Sequence, residues 1–337
     1  MPSMKQQHWQ ITFLTPAFLG NASQNAQWRT PPFKALLRQW WRVAWAADNP
    51  SKDVASMHRQ EGELFGNAWL THEDGRGKKV NDYCKSLVRL RLYDSKDAPH
   101  TWQEGTQKGV APMSTGLDTS YAWFGLIKRS GKNRESLPDR SAIKAGASES
   151  SKTLSIAAPE KDWFSIERAV ALAHAFGTLG SRSRGGWGSL HIAGAPLLSV
   201  SEIKRYARPL DECLVNDWGS SLALHNGRLC IWESKANFKE WSAAMAAIAV
   251  ERRHVRTTLG KDLRIALGFA QPGRMPSPLR WKLVRTSGGS LLIRVFAMPH
   301  RIPEGSGQML SPEQLKSAWG TVLKTLNESK SFKQVEE

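Results

Sequence analysis

The stretch Gly177-Thr-Leu-Gly-Ser-Arg-Ser-Arg-Gly-Gly-Trp-Gly188 decides how the rest of the chain is read. Gly180, Gly185, Gly186 and Gly188 give the backbone access to positive φ and let another chain come close with no side chain in between. Arg182 and Arg184, separated by Ser183, supply planar donors that match phosphate oxygens, and Trp187 stands beside them to pack or to stack. Upstream, Ser165 caps a predicted helix from Ile166 to about Phe176, whose Ala169, Ala171, Ala173 and Ala175 allow close approach to a sheet. Downstream, Ser189-Leu-His-Ile192 reads as a strand. A loop that follows a helix C-terminus is not a nucleotide-type phosphate cradle, because the dipole there repels anions. Any phosphate contact has to come from Arg182, Arg184 and the loop amides. The same residues also read as a flexible basic connection between a helix and a strand.

Working outward, Trp9-Gln-Ile-Thr-Phe-Leu-Thr-Pro16 alternates apolar and polar side chains and ends at a proline, the pattern of a first strand. Pro31-Pro32 opens a helix, since the first turn needs no proline donor. Phe33, Leu36, Leu37, Trp40 and Ala44 then recur at helical spacing to about Ala47. Ser86 to Tyr93 alternates as a strand, with Tyr121 to Ile127 as its expected partner. Positions 128–158 turn to Ser, Lys, Gly and Glu and read as a flexible insertion. The order strand, helix, two strands, helix, strand is that of a ferredoxin-like unit.

A fainter copy follows: a strand within Leu222 to Trp232, a helix from Phe238 to about Arg256, a hairpin of Leu279 to Arg285 and Leu291 to Phe296 through Gly288-Gly289, and a helix from Pro312 to about Leu326. No matching last strand is evident. The expected fold is α+β, with two ferredoxin-like (RRM-like) βαββαβ domains over 1–195 and 196–330 and a tail at 331–337, the chain being polar and frayed from Asn327 to Glu337.

The 337 residues carry 47 Lys+Arg against 30 Asp+Glu, a formal charge of +17. That excess implies a polyanionic partner, nucleic acid first. No apolar run reaches the roughly 20 residues that span a bilayer, and the N-terminus has no signal-peptide pattern, so the expected location is the cytoplasm. Three widely spaced cysteines, Cys84, Cys213 and Cys230, fit neither a disulfide framework nor a zinc knuckle. The chain has 15 tryptophans beside 4 tyrosines, several of them next to Arg or Lys, a pairing that suits base stacking and equally suits a core.

A second basic and aromatic group lies on the first helix. Lys34, Arg38 and Arg42 recur every four residues opposite the apolar stripe, Trp41 and Trp45 lie along the seam, and Arg29 stands at the start. An extended RNA fits such a face, with its backbone on the cations and its bases on the indoles. The bland alternative is a solvated basic face with tryptophans at the rim of the core.

At these segments the sequence resembles a known family. Ile11-Thr-Phe-Leu-Thr-Pro-Ala-Phe-Leu-Gly20, Arg29-Thr-Pro-Pro-Phe-Lys-Ala-Leu-Leu-Arg-Gln-Trp-Trp-Arg42 and Glu63-Leu-Phe-Gly66 look like the opening of subunit-one proteins of the type III-B (Cmr) CRISPR effector complex. The 177–188 loop looks like the glycine-rich loop of the wider RAMP superfamily. Arg274-Met-Pro-Ser-Pro-Leu279 resembles an arginine-x-x-Ser-Pro-Leu element in the family's second half. The resemblance implies an RNA-binding, non-catalytic subunit that packs on other RAMP-type subunits and touches guide or target RNA near the guide's 3′ region. It differs at Thr178, where the family has a second glycine, at Gly185, where a basic residue is common, and at Pro32-Phe33-Lys34.

Nothing in the sequence requires a cofactor or metal. There is no palm motif, His-Asp pair, Gly-x-Ser-x-Gly elbow or P-loop, and His72-Glu73-Asp74 runs into Gly75 and Gly77 as a surface loop. The enzyme alternative is a metal-independent, guide-processing endoribonuclease of the same superfamily, with His58, His174 or His191 as base. His174, inside an apolar helix, also reads as a buried histidine. The third alternative is a stand-alone basic protein that binds nucleic acid through charge.

Overall fold

The structure is a computed structural model that describes residues 3–22, 25–50, 53–68, 71–81, 83–93, 101–102, 120–123, 126–130, 135–138, 142–146 and 151–336. It is a mixed fold of helices and mostly antiparallel sheets. The first half contains β1 (Met4–Phe13), α1 (Thr30–Asp48), α2 (Val54–Phe65), β2 (Arg89–Tyr93), β3 (Ser151–Pro159), α3 (Trp163–Phe176) and β4 (Leu190–Ala193). Its sheet runs β4-β1-β3-β2, and every neighbouring pair is antiparallel. Alternation in β1 turns Trp9, Ile11 and Phe13 into the core, where they meet Phe33, Leu36, Leu37 and Trp40 of α1 and Ile166, Val170 and Ala173 of α3.

The second half repeats the plan with β5 (Ile231–Ser234), α4 (Trp241–Thr258), β6 (Leu279–Arg285), β7 (Leu291–Ala297), α5 (Pro312–Asn327) and β8 (Phe332–Gln334). Its sheet runs β6-β7-β5-β8, again antiparallel throughout. In both halves the fourth strand lies beside the first and the third lies between the first and second. α5 starts on a capping box, Ser311 with Gln314, and Pro312 occupies its first turn. A small accessory sheet, Ala207–Pro209, Leu222–His225 and Arg228–Leu229, lies between the two halves in sequence.

The halves share their cores. Odd positions of β6 and β7, among them Trp281, Leu283, Ile293 and Val295, face α4 and α5. Phe296 points the other way into the first core, 5.0 Å from Phe176 and 6.3 Å from Trp40 between ring centroids. Trp187 crosses in the opposite direction and lies within the second core.

Several expectations are corrected. Positions 151–158, expected to be flexible, form most of β3, an inner strand paired on both sides. Its small polar residues sit there because Gln10 and Gln6 of β1 donate to the hydroxyls of Ser151 (3.0 Å) and Ser155 (2.9 Å). The rest of that insertion falls partly outside the described residues. Tyr121 to Ile127 is not a strand: Ser120–Trp123 is a helical turn, and Ile127–Ser130 pairs with Glu135–Pro138, while β2 pairs with β3. Ser165 does not cap α3, because a 3-10 turn, Glu160–Asp162, leads straight into it from Trp163. Asn226 and Gly227, both at positive φ, break the expected Leu222 to Trp232 strand. The tail is not frayed: β8 pairs with β5, and Phe332 is 2% exposed. No helix among the described residues is long and apolar enough to cross a membrane.

Candidate nucleic-acid interface

The glycine-rich loop runs from the end of α3 to β4 and is stitched to three parts of the molecule. Ser181 N donates to the Phe18 carbonyl (3.1 Å), Gly188 N to the Pro16 carbonyl (3.0 Å) and Trp281 N of β6 to the Arg184 carbonyl (3.1 Å). Thr15 and Ser189 hydroxyls both donate to the Gly186 carbonyl, at 2.7 and 2.8 Å.

The glycines admit the protein's own atoms. A Cβ on Gly188, which has a φ of +63°, would lie 1.8 Å from the Leu179 carbonyl oxygen. One on Gly180 would lie 2.8 Å from the Phe18 carbonyl, and one on Gly186 would meet Ile248 and Met245 of α4. Gly185 faces the Arg252 guanidinium. The close approach predicted from these glycines is therefore met inside the fold.

Trp187 packs rather than stacks. It is fully buried, donates from Nε1 to the Ala122 carbonyl (2.8 Å) and lies against Phe18, Trp123 and Trp241. Arg182 is exposed at the tip of the loop and holds a φ of 58°, a left-handed conformation uncommon outside glycine. Ser183 beside it is half-buried. Arg184 turns inward, donating from Nη1 to the carbonyls of Pro276 and Ser277, both at 2.9 Å. Burial, then the nearby Arg274 charge, pushes its pKa down to about 10. The loop and the Arg274-Met-Pro-Ser-Pro-Leu279 element, distant in sequence, are thus joined through Arg184.

The helix face is a separate group. Arg38 Nε (2.8 Å) and Arg42 Nε (2.9 Å) both donate to Oε1 of Glu61, whose side chain is 1% exposed on α2. Lys34 is half-buried, and desolvation followed by the Arg38 charge lowers its pKa. Arg29 is exposed and donates to the Gly20 carbonyl at 2.7 Å. Trp41 is not on the seam: it is 4% exposed, donates to Ser165 Oγ at 3.2 Å and packs edge-on against Phe65, so its face is closed to a base. Trp45 is buried as well and donates to Gln60.

The three histidines named as bases do not converge. His58 is exposed on α2. His174 Nδ1 accepts from the Ile192 amide at 3.1 Å, and its ring lies 5.0 Å from His191. Burial, with the charge of Lys282 next, pushes the His174 pKa down to about 3. The geometry is that of a satisfied, neutral histidine. Among the described residues no three His, Cys, Asp or Glu side chains come together as a metal site.

Residues the sequence reading passed over stand beside the loop. Arg280 is 9% exposed and His300 8%, and Arg252 lies over the Tyr121 ring at 5.1 Å. The available signal was the pair of cations two apart in β6, Arg280 and Lys282, alternating with Leu279, Trp281 and Leu283.

This architecture matches solved structures. Cmr1 from Pyrococcus furiosus, in its apo form, superposes with a TM-score of 0.52 at 17% identity, over 94% of this chain and 96% of that one. A chain of the Type III-B Cmr-beta bound to cognate target RNA gives 0.47 at 10% identity, over 95% and 99%. No protein-family model and no curated protein matches the chain. The likeness to Cmr1 is one of fold, it runs nearly end to end, and it agrees with the resemblance read from the sequence motifs.

Proposed function

We propose that this chain is a non-catalytic, RNA-binding RAMP subunit of a type III CRISPR effector complex, taking the subunit-one place and composed of two ferredoxin-like domains. It contacts guide or target RNA near the guide's 3′ end and packs on neighbouring RAMP subunits. The observation that carries this reading is a likeness of fold to Cmr1 that runs nearly end to end, in a chain whose loop carries exposed Arg182 in the field of Arg252 and Arg184 in that of Arg274. A charge of +17 supplies long-range attraction for a polyanion. Of the three histidines named for the endoribonuclease alternative, His174 is a weak base, with its Nδ1 occupied by the Ile192 amide and its pKa lowered by burial. The test is a combined binding and cleavage assay on labelled guide-like RNA, with and without EDTA: retention of intact RNA supports the reading, and discrete cuts contradict it.

A further inference from the structure

Between the glycine-rich loop and the second sheet, the fold gathers cations, with no acid paired to them among the described residues. Arg184, held by the Pro276 and Ser277 carbonyls, sits within electrostatic reach of Arg274 on one side and Arg280 on the other. His300 completes the group, in the field of both Arg184 and Arg280. Its Nδ1 is paired with the Arg301 carbonyl at 2.7 Å. Glu304, the acid closest in sequence to His300, and Asp217, brought to Arg301 by the fold, are both engaged by Arg301.

Arg280 is the informative member. It is more than nine-tenths buried, yet its Nε has no hydrogen-bond partner. Among the described residues no carboxylate pairs with Arg184, Arg274 or Arg280. A buried guanidinium with open donors, set among like charges, is costly unless an anion neutralises it. The forked donors of arginine match a phosphate better than a single-point anion.

We propose that Arg184, Arg274, Arg280 and His300 form a phosphate-binding subsite that takes one phosphodiester of an RNA strand beside the glycine-rich loop. The assignment of RNA as the source rests on the function proposed above; the phosphate chemistry does not. Arg280 is the buried member of the group, Arg184 the half-buried one held on the 274–279 element, and Arg274 the exposed one. The loop glycines then serve the ligand indirectly, by seating the loop so that the Arg184 carbonyl and guanidinium lock onto β6 and the 274–279 element.

The experiment compares the full chain with Arg280→Met and, as a variant at an exposed position that leaves the core intact, Arg274→Ala. Thermal melting is followed in sodium phosphate and in sodium chloride of equal ionic strength, and single-stranded RNA binding is followed in parallel. Phosphate is expected to raise the Tm of the wild-type chain above its value in chloride; Arg280→Met loses that rise and Arg274→Ala reduces it. RNA affinity is expected to fall by about fivefold in Arg280→Met, with the salt slope lower by about one. An identical phosphate response in all three proteins would overturn the subsite. A phosphate response lost in Arg280→Met alongside unchanged RNA affinity in both variants would overturn RNA as its source. Absence of RNA binding by the wild-type chain, with the phosphate response intact, would instead refute the function proposed above.

Discussion

Lys282 Nζ of β6 donates to the carbonyl of Gly177, the first glycine of the loop, at 2.7 Å, and to that of Leu190 at 2.8 Å. The ammonium is fully buried. It ties the start of the loop and the start of β4 to the second sheet through one side chain, which fixes the loop at both ends. Desolvation, followed by the Arg294 charge, holds its pKa well below 10.5.

Replacing Lys282 by Met keeps most of the volume and removes the donors. Two buried carbonyls then lose their partner, at about 1–3 kcal/mol each, against relief from burying a charge. The expected net loss is about 2 kcal/mol in urea unfolding at neutral pH. Because the folded pKa is depressed, the unfolded chain binds the extra proton in the window below 10.5, so the wild type gains stability relative to the variant as pH rises through it. A constant difference between the two at all pH values would contradict that role.

His174 gives the opposite end of the pH scale. Its pKa is about 3 in the fold against 6.5 for the unfolded side chain. Above 6.5 both states are neutral; below it the unfolded state takes a proton that the fold refuses until about 3. Stability therefore falls with acidification through that window, with His174 contributing at most about 1.4 kcal/mol per pH unit. His191 and His300 are lowered in the same direction by burial and neighbouring cations. His174→Gln, which retains an acceptor for the Ile192 amide, is expected to flatten the acid limb of a stability-versus-pH curve. The same variant leaves RNA binding unchanged under the non-catalytic reading.

Glu61 controls the helix face. Both Arg38 and Arg42 are turned onto one oxygen of this buried carboxylate, while Oε2 has no partner. Glu61→Gln replaces two salt-bridged hydrogen bonds by hydrogen bonds from a cation to a neutral amide oxygen, at an expected cost of about 1–2 kcal/mol. It also frees two guanidinium groups of an internal counter-charge. If this face meets RNA, affinity rises and its salt dependence steepens in a titration by anisotropy; a drop in stability with unchanged affinity removes the face from the interface.

Much of the fold was legible because periodicity and caps acted locally. The stripe from Phe33 to Ala44 became α1, the alternation of Trp9, Ile11 and Phe13 became β1, and the hairpin through Gly288-Gly289 became β6 and β7. In the first half the strand from Ser86 to Tyr93 was readable as β2, whereas its partner was placed at Tyr121 to Ile127 instead of β3, and α2 was not anticipated. β3 was not legible, because Ser-Lys-Thr-Leu-Ser-Ile-Ala-Ala-Pro owes its strand to pairing with β1 and β2 rather than to propensity. β8 was missed since its one apolar anchor, Phe332, lies in a polar tail and gains its place only by pairing with β5 and meeting Trp281 edge-on at 5.8 Å.

The candidate site was legible in part. Arg182 stands exposed as expected, but the glycines and Trp187 owe their residue types to contacts with Leu179, Phe18, Met245 and Ala122, made by distant parts of the chain. Nor does a sequence reveal that Arg280 lies in the field of Arg184, whose carbonyl accepts from the neighbouring Trp281 amide. That juxtaposition arises only when the second sheet docks on the loop.

The measurement that bears most directly on the central claim is fluorescence anisotropy of labelled guide-like RNA with the full chain across a salt series, run with EDTA and followed by gel analysis of the RNA. The account predicts saturable binding with a steep logarithmic salt slope, a slope reduced by about one in Arg182→Ala, and RNA recovered intact. No binding at low salt, a slope unaffected by Arg182→Ala, or discrete metal-independent cleavage would contradict it.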